Sequence, residues 1–205
     1  MYRSTPEQPG PGGRKAAQSE ATRAELVGVA TQLFADRGYA GVGTEEIVRQ
    51  AGVTRGALYH HFADKRELFR AVHEEVERDL VRRITAGVAG VADPWEVMVA
   101  GMRAYLDACT EPTVMRISLI DAPSVLGWEE WRQMDARYGL GLVTTALRAA
   151  MDAGVLRRHA VEPLAQLLLA AMAEAGLMVA TAPDPSAARD QVEAALLALL
   201  EGLRT

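Results

Sequence analysis

Two short helical patterns that meet at a single glycine constrain this chain more than any other feature. Residues 44 to 65 read Thr-Glu-Glu-Ile-Val-Arg-Gln-Ala-Gly-Val-Thr-Arg-Gly-Ala-Leu-Tyr-His-His-Phe-Ala-Asp-Lys. Thr44 is suited to cap the first helix, with Glu45 and Glu46 in a first turn where carboxylates complement the helix dipole. Ile47, Val48 and Ala51 form its apolar side, and Gly52 can take the positive φ that ends a helix. Thr54 caps the second helix, which turns Leu58 and Phe62 inward, four residues apart on one side. Arg55, Gly56, Tyr59 and His60 are left facing outward.

Two helices joined by a tight glycine turn form a helix-turn-helix, whose second helix enters the DNA major groove. The outward side has the chemistry for it. No acidic residue occurs from Gln50 to Ala63, where a carboxylate would be repelled by phosphates. Arg55 can donate two bonds to a guanine edge, and His60 can donate or accept. Gly56 allows close backbone approach, and the Tyr59 hydroxyl can reach a phosphate. Thr44, Thr54 and Lys65 sit at helix starts, where hydroxyls, free backbone N–H groups and an ammonium hold phosphates.

The run Ala51-Gly52-Val53-Thr54-Arg55-Gly56-Ala57-Leu58-Tyr59-His60-His61-Phe62, followed by Asp64-Lys65, resembles the signature of the tetracycline-repressor (TetR) family of transcription regulators. The likeness extends upstream through Ala30, Leu33, Phe34, Gly38 and Tyr39 and downstream through Leu68 and Phe69. Val48 departs from the pattern, since helix-turn-helix units often carry alanine there. The resemblance implies an all-α homodimer. Its N-terminal three-helix, homeodomain-like domain would bind operator DNA, and its C-terminal helical domain would bind an inducer.

A net charge of −5 looks wrong for a DNA binder until it is divided. Residues 1 to 85 hold 13 Lys and Arg against 12 Asp and Glu, while residues 86 to 205 hold 9 against 15. Such asymmetry between halves suggests two tasks, with the acidic half held away from DNA. Cys109 is the one cysteine, so no internal disulfide is possible and a cytoplasmic location is expected.

Residues 1 to 18, rich in Pro, Gly and polar types, read as a disordered tail whose Arg14 and Lys15 could reach a minor groove. The first helix is expected to begin near Ser19 or Thr22, with Leu26, Ala30, Leu33 and Phe34 as core. The DNA-binding domain then spans 19 to 84 and ends in a connecting helix opened by the capping box Asp64-Lys65-Arg66-Glu67. His73 on that helix reads as an ordinary surface histidine.

Residues 85 to 205 form the second domain. Asp93-Pro94-Trp95-Glu96 is a helix start, after which Trp95, Val99, Met102 and Leu106 line one side, with Met98, Tyr105 and Cys109 beside them. Pro112 opens a shorter helix and Pro123 interrupts it. Trp128, Trp131 and Met134 begin a long helix that Gly154 ends. These aromatic and Met side chains suit a shapeable cavity for a largely apolar small molecule, with Arg116 and Asp121 placed to orient its polar end. The sequence leaves the ligand's identity open.

Leu164 to Ala182 is nearly apolar, yet Gln166 and Glu174 argue against a membrane span. A final amphipathic helix follows Asp184-Pro185. Leu167, Ala171, Ala175 and Met178 on the first of these helices, and Val192, Leu196, Leu199 and Leu203 on the second, are expected to form a two-fold four-helix interface. An enzyme is a poor alternative. The chain lacks a Gly-x-Ser-x-Gly elbow, a phosphate-cradling glycine loop and metal-ligand spacing, so no catalytic residue, metal or cofactor is expected. A DNA-binding regulator that answers to a protein partner instead of a small molecule is the other alternative.

Overall fold

The computed structural model describes residues 11–205, with side chains from Lys15 onward. In order along the chain stand α1 (Pro11–Arg37), α2 (Thr44–Gln50), α3 (Arg55–His61), α4 (Lys65–Gly87) and α5 (Pro94–Cys109). A π-helical segment, Val114–Asp121, runs directly into α6 (Ala122–Leu126), followed by α7 (Trp128–Asp152), α8 (Val161–Thr181) and α9 (Pro185–Glu201). Among the described residues there is no strand, only one antiparallel bridge between Leu156 and Arg204. The all-α, two-part architecture expected from the sequence is the one found.

The first three helices pack around Leu26, Ala30, Phe34, Ile47, Leu58 and Phe62, all buried, and the start of α4 adds Leu68, Phe69 and Val72. Phe69 meets Phe34 and Tyr39 edge-on, with ring centroids 5.4 and 5.1 Å apart, a preferred aromatic geometry. Every large side chain of this core is apolar.

Several expected boundaries move. α1 already includes residues 11–18, which were expected to be disordered, because Pro is tolerated at a helix's first position and Ala16, Ala17 and Gln18 are good helix formers. Thr22 therefore caps nothing, and its hydroxyl donates to the Gln18 carbonyl one turn back at 3.0 Å. Residues 1–10 and the Arg14 side chain lie outside the described residues; Lys15 is exposed on α1. The N-cap of α2 is Gly43, not Thr44. Pro123 does not interrupt a helix but sits in the first turn of α6, where its missing N–H costs nothing.

In the second domain α8 is the central helix. It buries Ala165, Leu169, Ala173 and Val179 against α5, α7, α9 and the π-helical segment. α8 is long and apolar enough to cross a membrane by length and composition, but its apolar side serves as the core of a helical domain. Of the side chains expected at a subunit interface, Leu167, Met178 and Leu199 are exposed, at 69, 53 and 59%. Ala171 and Leu203 are half-buried. Ala175, Val192 and Leu196 are buried within the chain and cannot meet a partner. The helical stripe was right for these three, but they lie on the side where α8 and α9 pack into their own domain.

Candidate functional site

The expected recognition helix corresponds to α3. The Thr54 side chain accepts the Ala57 N–H at 3.1 Å and so fixes where it starts. Gly52 has φ +64°, a conformation that only glycine adopts without cost, and it turns the chain between α2 and α3. Leu58 and Phe62 are anchored in the core, which leaves Arg55, Gly56, Tyr59 and His60 exposed together. The Arg55 guanidinium lies 5.5 Å from the Tyr59 ring centroid and 3.6 Å from Glu45, an exposed pair. Hydrogen bonding to Thr44, and then to Arg55, holds the Tyr59 phenol below its ordinary pKa. Thr44, misplaced as a cap, thus joins the face through Tyr59. Glu45 was missed because it lies outside the acid-free stretch in sequence yet opposite Arg55 in space.

Lys65 is differently placed from the rest of the expected face. Its ammonium donates to the Tyr39 carbonyl at 2.5 Å and lies 4.0 Å from the Tyr39 ring centroid. Burial pulls its pKa down, with Asp121 opposing. The side chain is directed at the domain's own turn rather than held free beside α3.

A polar clasp joins this domain to the next. The Tyr39 N–H donates to Asp121 Oδ2 at 2.6 Å. Arg66 donates to the carbonyls of Val125 and Leu126 at 3.1 and 2.8 Å and to Glu130 at 2.7 Å. Arg70 donates to the other Glu130 oxygen. Burial alone would raise the Glu130 carboxyl, but the bonds from Arg70 and Arg66 outweigh it and hold its pKa low. Arg116 and Asp121, expected in a ligand cavity, belong to this clasp: a Cβ at Gly38 would lie 3.3 Å from Asp121 and 3.4 Å from Arg116. The π-helical winding turns them toward α1.

The interior of the second domain contains a void of about 20 Å³ lined by Glu77, Leu80, Tyr105, Val114, Ser118, Leu119, Trp131 and Asp135. Of the expected lining residues, Tyr105 and Trp131 border this void, and Cys109 backs Tyr105. The other expected lining residues are elsewhere. Trp95, Met98, Met102 and Met134 are packed as core, and Trp95 meets Arg204, 4.6 Å from its ring centroid. Trp128 is 58% exposed and leans on Trp131 from outside.

Polar groups missed from the sequence surround this void. His73 is buried rather than on the surface, 1% exposed. Its Nε2 lies 3.2 Å from Glu77 Oε1, but among the described residues neither ring nitrogen has a hydrogen-bond partner. Ser118 Oγ and Asp135 Oδ2 are also buried without partners, the nearest cation to Asp135 being Arg132 at 3.7 Å. Burial, then the nearby Glu77, push the Asp135 pKa up to about 6. Burial likewise pushes the Cys109 thiol up to about 12. A sequence signal existed: His73 and Glu77 continue the Phe69 stripe at i+4 spacing, and Asp135 follows Trp131 by four. Among the described residues no group of His, Cys, Asp and Glu is placed to hold a metal.

Comparison with known proteins finds matches in both domains. Residues 26–72 match the family model of bacterial regulatory proteins of the tetR family. Residues 95–203 match that of the tetracyclin repressor-like C-terminal domain. A TetR-family transcriptional regulator from Pectobacterium atrosepticum superposes with a TM-score of 0.84 at 36% identity, covering 92% of this chain and 97% of that one. The transposon Tn10 TetC protein of Escherichia coli is 26% identical over 73% of this chain and 75% of its own length. RolR in complex with resorcinol shares the fold, with a TM-score of 0.70 at 22% identity, covering 90% of this chain and 89% of that one.

Proposed function

The chain belongs to the TetR family of transcriptional regulators, DNA-binding proteins and not enzymes, and on that premise we propose that it is a repressor released from a palindromic operator by a small molecule. The observation that carries this reading is the α3 face: Arg55, Gly56, Tyr59 and His60 are exposed on a helix whose opposite side is locked into the core by Leu58 and Phe62. Family members bind operator DNA and typically act as dimers. In this chain the exposed Leu167, Met178 and Leu199 support a homodimer through α8 and α9. Two recognition helices would then stand ~34–36 Å apart and meet successive major-groove faces. The expected location is the cytoplasm.

The arrangement also supports a route for release. The π-helical segment presents Ser118 to the void and Asp121 to Tyr39, and π-helical turns are often found at functional sites. A ligand that enlarges the void would displace this segment and pull on the clasp at Asp121, Arg66 and Arg70. It acts only insofar as it binds the displaced state more tightly. That RolR was captured with resorcinol supports a small-molecule site in this fold. A regulator controlled by a protein partner is the second reading, favoured by a void so small that it must open before any ligand enters.

Footprinting of full-length protein on the DNA upstream of its own coding region tests the proposal. The expected result is protection of two half-sites related by a dyad. Unsaturable binding that weakens equally on every DNA as salt rises would defeat it, since that is the signature of phosphate contacts alone.

A further inference from the structure

We infer that the void between α4, α5, α7 and the π-helical segment is the seat of a primary ammonium group, and that the ligand of this protein is an amine with an apolar body. The inference rests on the ligand-responsive reading above and adds the chemistry of the ligand.

The wall of the void carries more hydrogen-bond acceptors than donors. Glu77 and Asp135 place two carboxyl groups on it, and Ser118 adds a hydroxyl. Asp135 Oδ2 and Ser118 Oγ are buried and have no partner, and His73 behind Glu77 has none at either nitrogen. Arg132, at 3.7 Å from Asp135, is the nearest cation to this group. Buried polar atoms are rarely left unpaired, because each costs on the order of 1–3 kcal/mol. Two of these atoms, Asp135 Oδ2 and Ser118 Oγ, belong to residues on the wall of the void, and the carboxylate oxygen is completed only by an added donor.

Size and charge narrow what that donor is. Space of ~10–15 Å³ holds one water, so about 20 Å³ accepts a water or a group of similar bulk. A primary ammonium is such a group and carries three donors with no acceptor. It matches Asp135, Glu77 and Ser118 one for one. A carboxylate or phosphate would face two like charges, and a trimethylammonium has no hydrogen-bond donor to offer. The Trp131 and Tyr105 rings on the same wall favour a cation further, while Leu80, Val114 and Leu119 suit an apolar body. Protonation of Asp135, whose facing groups are Glu77 and His73 from α4 and Arg132 from α7, competes with the ammonium.

The test uses full-length protein and benzylamine, phenethylamine and hexylamine as probes, with benzyl alcohol, benzoate and benzyltrimethylammonium as matched controls. Binding is read by Trp fluorescence and thermal shift. The primary amines are expected to bind and the three controls to bind at least tenfold more weakly. Asp135→Asn, and independently Glu77→Gln, should weaken the amines by about thirtyfold or more, the lower end for truncating one side of a buried charge pair. Thermal unfolding of each unliganded variant establishes that it is folded. Amine affinity should also fall as the pH drops through about 6. Equal binding of benzyl alcohol or benzoate, silence of all three amines, or full amine affinity in both variants overturns the inference. Operator binding is measured on the same preparation. Protein that binds operator but no amine defeats the ligand assignment alone, and protein that binds no operator defeats the regulatory reading.

Discussion

The two domains are built from the same helices but treat polar groups in opposite ways. In the DNA-binding domain the core around Phe34 is apolar, and Arg55, Tyr59 and His60 stand in solvent. Where the connecting helix α4 packs on the second domain, His73, Ser118 and Asp135 carry buried atoms without hydrogen-bond partners among the described residues. A fully satisfied core presents a fixed surface. A core with unmet hydrogen bonds is stabilised by whatever meets them, so it can respond to a ligand by linkage. On the proposed reading, a division of labour between reading DNA and sensing a small molecule corresponds to this difference in interior polarity.

The harshest way to challenge that contrast is to damage the satisfied core. Phe34 is fully buried, with the Phe69 and Tyr39 ring centroids 5.4 and 5.7 Å from its own. Phe34→Ala should cost about 3–5 kcal/mol, read by denaturant unfolding, and should abolish operator binding with it. A loss under ~1 kcal/mol would mean that the first domain is not the fixed, tightly filled core that the contrast requires.

The opposite sign is expected in the second domain. Asp135 is pushed up to about 6 from an ordinary 3.8, so the folded chain holds that proton more tightly than the unfolded one. Stability contributed by the bound proton is present below about 4 and lost as pH rises through about 6. Asp135→Asn removes the ionisation and should stabilise the unliganded protein by roughly 2–3 kcal/mol at neutral pH. The gain should shrink toward zero near pH 4. A gain that does not change with pH would locate the effect in packing instead.

How much of this was legible follows the same division. The helix-turn-helix could be read from spacing because its geometry is local: Thr54, Gly52, Leu58 and Phe62 fix each other within a few residues. Thr44 was misjudged only by one position. The second domain was read correctly as to helices and wrongly as to which side of them faces what. A 3.6-residue stripe marks Met98 and Met102 as inward but cannot say whether inward is core or cavity wall. The π-helical winding of Val114–Asp121 gives no signal in hydropathy, and it is what carries Arg116 and Asp121 to the domain clasp. His73 and Asp135 sat on recognisable inward stripes, but a titratable residue there is usually at an edge, and only the packing of α4 against α7 shows otherwise.

On the reading face, Arg55→Ala should weaken specific operator binding by about 1–3 kcal/mol and relax base preference at one position of each half-site, measured by titration at fixed salt. Its exposed pair with Glu45 at 3.6 Å is weak and is given up readily on binding. Lys65→Ala sharpens the contrast. Because its ammonium is tied to Tyr39, the variant should lower folding stability as well as DNA affinity. If it moves only the salt dependence of binding, the ammonium turns outward when DNA is present.

The smallest change in stability is expected where the two domains meet. Glu130 is held by Arg66 and Arg70 at a partly exposed site, where an ion pair contributes ~0–1 kcal/mol. Glu130→Gln should therefore shift Tm by no more than about 2–4 °C. Its effect on coupling should be larger than that number suggests, because Arg66 would keep its bonds to Val125 and Leu126 while Arg70 would lose its carboxylate. Amide exchange in α6 and the first turns of α4 should then quicken by about fivefold, the equivalent of ~1 kcal/mol, with α2 and α3 unchanged. Faster exchange confined to that seam would show two domains of different character joined by a weak, adjustable tie. Acceleration that spreads into α3 would show that the recognition helix depends on the second domain for its own order, and the contrast between a fixed reader and a pliable sensor would fail.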